Sequence, residues 1–467
     1  MCGLAATCSL AVPLPAPPNP FEVQDDSSNA FGWPLPSLTV AERRAFSVGN
    51  SFFRDNWVVA PASATGRDGL GPLFNAASCS ACHPEDGRGR PPLQPGERGL
   101  GMVVLVSPMD ADGQPHPVYG PQLQDLAIPG IQPEVTIQLL PVEVPAPAAA
   151  ASPAAASPAA APALATAEQG SAATVQQWYV RVTDPAYGPL GPVRLSVRMG
   201  PQLIGGGLLE AVPDAALLAH ADPNDADQDG ISGRASVLPD GRVGRFGWKA
   251  GKRTLEEQIA GALQQDMGIT SPLRPDENHT AAQGVHAPSG GGSSSADHAA
   301  DEPEATASKL QRLAHYCRAL AVPAQRGADL PEVQRGAAVF ANLGCTGCHT
   351  PTLQTGDDSP LPVLRHVEFR AYTDLLLHDM GPGLADHRAE SAAPGAATGT
   401  EWRTPPLWGI GLIQTVNGHT RLLHDGRARS MEEAILWHDG EASASRRAFD
   451  ECAPADRAAL LAFLRSL

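Results

Sequence analysis

Two short motifs constrain this chain more than anything else in it: Cys79-Ser80-Ala81-Cys82-His83 and Cys345-Thr346-Gly347-Cys348-His349. In each, two thiols stand beside an imidazole. That is the arrangement in which the thiols add to the vinyl groups of a haem and the adjacent histidine sits beneath the ring as an iron ligand. At this chain's Cys and His frequencies, chance would give roughly 0.004 such motifs. The pair therefore points to two covalently bound haem c groups, anchored by Cys79 and Cys82 and by Cys345 and Cys348, with His83 and His349 on the irons. A zinc site or a redox dithiol would use the cysteines and leave the following histidine, twice, without a role.

At 467 residues and 42% hydrophobic content, the chain is long enough for two compact domains with insertions. No apolar stretch reaches membrane-spanning length. The net charge of −17 is spread along the chain. It argues against nucleic acid and suits a cationic redox partner or plain solubility. Four of the eight cysteines lie in the two motifs, so this is no disulfide scaffold. The remaining pair of interest, Cys317 and Cys452, can be read as a disulfide or as free thiols. Residues 1–30 read as a flexible N-terminus or the remnant of an export signal without its basic start, and Cys8 faintly resembles a lipid-anchoring site. Export to the periplasm is better argued from covalent haem attachment, which is normally completed outside the bacterial cytoplasm.

Two composition shifts interrupt the chain: an Ala/Pro run over 141–174 and a Gly/Ser/Ala-rich stretch over 281–308. Both read as surface insertions, with His279, His286 and His298 solvated. The expected organisation is an N-terminal haem domain over 31–280 and a C-terminal one over 309–467. Between the insertions, Gln176 to Thr183 and Val193 to Met199 alternate apolar and polar residues and read as a β-hairpin. An internal repeat supports two related units: Pro201-Gln202-Leu203-Ile204-Gly205-Gly206-Gly207-Leu208 returns as Pro405-Pro406-Leu407-Trp408-Gly409-Ile410-Gly411-Leu412. Each copy precedes a helix candidate with acids in its first turn, Thr254 to Asp266 and Ser430 to Trp437. A strongly apolar helix is expected over Pro454 to Leu467. The fold class expected is mainly α, two tandem cytochrome c-like haem domains elaborated by a β-hairpin and the insertions.

The second axial position of each iron separates electron transfer from chemistry. His438 and Met380 are the candidates at the second haem, and Met267, in Asp266-Met267-Gly268, holds the place in the first domain that matches Met380. Peroxide cleavage needs a base and a group that stabilises developing charge. Glu134, Glu210, His116 and Arg181 lie in the region that can cover the first haem, each with a structural role as the alternative. Trp248 and Trp408 read either as haem neighbours or as core anchors. Asp225, Asp227 and Asp229 alternate before Gly230, as a calcium loop requires. Position twelve from Asp225 is Ser236, so the loop is no EF-hand, and an acidic surface turn is the alternative reading.

Phe74 to His83, Gly87 to Pro92, Gly244 to Ala250, Asp266 to Thr270, Arg403 to Gly409 and His424 to Arg427 together resemble the di-haem oxidoreductases described as peroxidases or thiol oxidoreductases. The resemblance spans about residues 30 to 467 apart from the insertions. More distantly, the second domain resembles that of bacterial di-haem cytochrome c peroxidases and of a methylamine-maturation enzyme. The resemblance implies hydrogen peroxide or a related oxidant at the N-terminal haem. It also implies electrons entering the C-terminal haem from a small donor protein, a cytochrome c or a cupredoxin, and calcium near the domain interface. His438 stands where those peroxidases carry an axial methionine, a departure that lowers the expected potential of that haem. The reading favoured is a peroxidase-type enzyme. The alternative is a non-catalytic periplasmic electron carrier with both irons six-coordinate, and thiol oxidation rests on the family description alone.

Overall fold

The computed structural model describes residues 19–147, 174–285 and 303–467, apart from positions 95, 112, 387, 389, 392 and 394. His286 and His298 lie outside the described residues.

Each haem motif follows a helix that crosses a second helix at a glycine. Helix α1 (Val40–Arg54) starts at a capping box, in which Thr39 and Glu42 satisfy each other's exposed backbone N–H groups. Helix α2 (Leu255–Met267) repeats the device with Thr254 and Glu257. Helix α3 (Ala307–Arg318) lies across α1, and a methyl group on Gly49 would collide with the Arg312 carbonyl and the Tyr316 side chain. Helices α4 (Pro331–Asn342) and α7 (Pro454–Ser466) make the same crossing, with Gly336 against the Ala459 carbonyl and Phe463. Only glycine lets two backbones approach so closely. One helical turn beyond each glycine stands a phenylalanine: Phe53 packs on Tyr316 at 5.1 Å between ring centroids, and Phe340 on Phe463 at 5.4 Å. The same two rings approach His83 and His349, at 6.4 and 6.1 Å. Between α4 and α7 lie the short α5 (Met431–Leu436), where Ser430 accepts the Glu433 N–H, and α6 (Ser443–Glu451).

The repeat read from the sequence has a structural counterpart. Gly205 and Gly409 both adopt the left-handed conformation, φ +68° and +70°, and each opens a helical turn.

The mainly α, cytochrome c-like fold expected from the sequence is not what forms. The described residues are 31% helix and 19% strand, and the strands are scattered over several small sheets. Two physical causes stand out. The 46 prolines and 47 glycines break up helices throughout. The stretch between the first motif and Met199 is rich in β-branched residues, which favour strands. Strand β1 (Met102–Pro108) lies between β2 (Gln122–Leu123) and β5 (Val193–Met199), while β3 (Thr136–Pro145) and β4 (Thr174–Thr183) form a ten-residue antiparallel ribbon.

The expected hairpin of Gln176–Thr183 with Val193–Met199 is therefore corrected. Both strands exist, but β4 pairs with β3 and β5 pairs with β1. The ends of the Ala/Pro run, Pro141–Pro145 and Thr174, belong to the ribbon, where Pro141 faces Trp178. A two-stranded ribbon has only edge strands, so proline is tolerated. The main apolar cluster is shared between the halves of the chain, joining Phe31, Leu208, Leu310 and Met267 to Leu353, Phe369 and Trp408.

Candidate haem sites

A haem-binding histidine must present one nitrogen to the iron while the other is held as a donor. At the first motif, His83 Nδ1 lies 2.7 Å from the Pro201 carbonyl, and at the second, His349 Nδ1 lies 2.9 Å from the Tyr372 carbonyl. A carbonyl only accepts, so Nδ1 carries the proton in both, and Nε2 keeps the lone pair. Burial lowers both pKa values, that of His349 to about 4, so the rings are neutral and ready to ligate. No disulfide joins the motif cysteines, the buried Cys317 or Cys452 to one another. Burial pushes the Cys79 and Cys345 thiols up to about 12 and raises Cys82 and Cys348 as well.

The second motif opens onto a cavity with about 1490 Å³ of unfilled space, its mouth included. Cys345, Cys348, His349 and His438 all line it. His438 follows α5, and its Nδ1 lies 2.7 Å from the Ala434 carbonyl, one helical turn back. It therefore has the same locked tautomer as His349. Two neutral imidazoles thus face one apolar chamber, each with Nε2 available, a donor set that fits the iron of a haem. Met380 also lines this cavity. Counted from the matched helix starts Met431 and Leu255, the residue corresponding to His438 is Ala262, which has no ligating atom. Met267 lies further on, 2% exposed, inside the main core against which Cys79 packs.

His378, which carries no sequence signal of its own role, is one of two further imidazoles lining this cavity; the other, His424, stacks on Trp402. His378 is 2% exposed, with Nε2 2.8 Å from Asp374 Oδ2, Nδ1 2.6 Å from Glu441 Oε2, and Cys348 Sγ at 3.4 Å. Burial alone would lower its pKa, but the bonds to Asp374, Cys348 and Glu441 push it up to about 12. Carboxylates only accept, so both nitrogens donate and His378 is an imidazolium, unfit to ligate iron. Glu441 also receives the Ser232, Gly233 and Asp379 N–H groups. It thereby ties the acidic loop to the second motif. In that loop one ligand atom from each of Asp225, Asp227 and Asp229 lies within 4.8 Å of the others.

The four acid–base candidates separate. Arg181 is exposed on β4. Glu210 holds Arg318 and the Leu255 N–H. His116 is consumed by a turn, its Nδ1 accepting from Val118 and Tyr119 N–H at 3.1 Å and its Nε2 facing the Leu190 carbonyl at 3.0 Å. Glu134 differs. It is 1% exposed, accepts from Gln124 N–H at 2.6 Å and from Gln283 Nε2 at 2.5 Å, and burial raises its carboxyl to about 7. Buried amides lead from it toward the first motif: Gln124 Nε2 bonds the Gln265 carbonyl at 2.8 Å, and Gln122 Nε2 bonds Asp266 Oδ1 at 2.8 Å. Asp266 raises the pKa of both Cys79 and Cys82. Trp248 lines the second cavity, whereas Trp408 is a core anchor against Phe369.

A family model described as "di-haem oxidoreductase, putative peroxidase" matches residues 21–103 and 190–467. The chain belongs to the di-haem oxidoreductase family. Both haem motifs, Met267, Met380 and His438 fall inside the matched residues, while Glu134, His116 and Arg181 fall in the unmatched stretch between them. Among solved structures, hydrazine synthase of Kuenenia stuttgartiensis is similar at 16% identity over 58% of this chain and 73% of that one, with a TM-score of 0.29, too low to carry an argument. No curated protein matches the sequence. No helix of the described residues is long and apolar enough to cross a membrane.

Proposed function

We propose that this di-haem oxidoreductase is an exported, periplasmic c-type enzyme that reduces hydrogen peroxide or a related oxidant at the first haem, taking electrons in at the second. The observation that carries the reading is the contrast between His438 and Ala262. The second cavity offers two imidazoles with their Nδ1 atoms already committed to carbonyls, whereas the matched position of the first unit offers none. Two strong protein ligands suit electron transfer, and a site lacking the second ligand leaves room for an oxidant.

Haem supplies the redox chemistry at each site, and the chain supplies its attachment through Cys79 and Cys82 and through Cys345 and Cys348, its orientation and the handling of protons. Glu134, with a carboxyl near neutrality, is the group suited to take a proton from one peroxide oxygen and return it to the oxygen that leaves as water. A small cytochrome c or cupredoxin is the donor in this reading. Calcium in the Asp225–Asp229 loop would steady Ser232 and Gly233, and through Glu441 the imidazolium beside Cys348.

The alternative, an electron carrier, rests on Met267, which lies in the apolar cluster that Cys79 packs against. The test is steady-state peroxide reduction by the holoprotein with a reduced cytochrome or cupredoxin donor. Turnover lost on replacing Glu134 but retained on replacing Met267 supports the enzyme; no turnover with any donor favours the carrier.

A further inference from the structure

Beyond the iron ligands, the wall of the second cavity carries positive charge that no carboxylate among the described residues pairs with. Arg88 and Arg403 both line it, 4% and 7% exposed. Neither has a carboxylate within ion-pair distance among the described residues. Burial pushes both guanidiniums down to about 10, with Asp425 and Asp374 only partly restoring Arg88 and Arg403 respectively. Burying an uncompensated cation is costly, and a chain keeps such a group where a counter-charge arrives from outside it.

The two arginines meet at one residue, Trp248, Arg88 through its ring and Arg403 through its backbone. The Arg88 guanidinium lies 5.5 Å from the centre of the Trp248 ring. The Arg403 N–H donates to the Trp248 carbonyl at 3.0 Å, and Arg403 Nε donates to the Gly247 carbonyl at 2.9 Å. Both keep donors in reserve. Arg88 Nη1 and Nη2 bond Gln202 Oε1 and the Leu423 carbonyl, but its Nε has no partner. Arg403 Nη1 bonds the Thr404 carbonyl at 3.0 Å, and its Nη2 donates to nothing among the described residues. A haem c is tethered through its vinyl-derived edge and carries two carboxylates elsewhere on the ring. Guanidinium is the side chain whose geometry matches a carboxylate best.

We infer that Arg88 and Arg403 bind the two carboxylates of the second haem, an assignment that rests on the reading of Cys345 and Cys348 as its anchors. Arg88 stands five residues after His83. Its backbone is pinned to the second half of the chain by Asn417, which accepts the Arg88 N–H at 3.0 Å and donates to the Pro84 carbonyl at 2.8 Å. The segment that carries the first haem's ligand thus also holds the second haem.

The test uses the full-length holoprotein with Arg88→Gln, Arg403→Gln and, keeping the charge, Arg88→Lys. Peptide mass spectrometry reports haem on Cys345 and Cys348, and spectroelectrochemical titration reads the second haem's midpoint potential. Loss of a nearby cation favours the ferric state. Each glutamine variant is expected to shift the one-electron equilibrium about tenfold toward ferric, equivalent to about 59 mV, and the lysine variant to shift it less in the same direction. An unchanged potential in both glutamine variants, with haem attached, overturns the assignment and leaves the haem reading standing. Parent protein without haem on Cys345 and Cys348 overturns both. If the glutamine variants fail to fold, Arg88→Lys decides, and no shift there overturns the role of Arg88.

Discussion

Replacing Gly336 by alanine isolates the helix crossing that positions the second haem motif. Two effects oppose each other. Alanine in a helix interior is favoured over glycine by about 1 kcal/mol. Against that, the new methyl would overlap the Ala459 carbonyl and come within 2.6 Å of the Phe463 Cβ, neither of which is the free end of a flexible side chain. Helices α4 and α7 would have to separate, and overpacking of this kind costs about 1–3 kcal/mol. The upper end applies because the obstacle is backbone, so the net expectation is a loss of about 1–2 kcal/mol. Gly261→Ala on α2 is the matched control. Its methyl would meet nothing nearer than the Lys252 Cε at 3.7 Å, so only the propensity term acts and a gain of up to about 1 kcal/mol is expected. The assay is urea unfolding followed by tryptophan fluorescence, comparing midpoints at equal slope. Equal stability of the two variants would refute the argument that the crossing requires glycine.

Further outcomes follow from the same geometry. His349→Ala is expected to abolish the second haem's spectrum and donor-driven turnover while leaving the first haem intact; turnover surviving with the protein donor would show that electrons do not enter there. Glu134 has a folded pKa near 7 against about 4.5 unfolded, so its contribution to stability is full below pH 4.5 and is lost as pH rises through 7. Glu134→Gln should flatten that part of the stability profile and, because a base must be ionised, remove a rise in peroxide turnover centred near pH 7; unaltered profiles would discount both roles. Chelation of calcium is expected to lower turnover and shift the second haem's potential, read by spectroelectrochemistry before and after calcium is restored, and insensitivity of both would remove calcium from the account.

The parts of this molecule that are legible in sequence are those set by local chemistry. Covalent attachment needs two thiols and a histidine at fixed spacing, so both motifs could be read directly. Helix starts at Thr254 and Ser430 were legible from the acids in the first turn, and the structure adds that both residues cap their helices. What depends on distant partners was not. Strands β4 and β5 show their own alternation, but their choice of β3 and β1 is made by residues far along the chain. Gly49 with Phe53 and Gly336 with Phe340 repeat at the same spacing in plain view, yet their meaning lies in α3 and α7, against which they pack. Neither His378 nor Arg88 shows its role locally, though Arg88 lies in a segment that carries the family resemblance. Their roles come from Asp374 and Glu441 in one case and from the second cavity in the other.

In the proposed enzyme one iron has two protein ligands and the other has one. Low-temperature electron paramagnetic resonance on the oxidised and half-reduced holoprotein, with and without hydrogen peroxide, measures this directly. A low-spin signal lost in the His438→Ala variant, together with a high-spin ferric signal that peroxide perturbs, is the result expected. Two low-spin signals indifferent to peroxide in both redox states would contradict it.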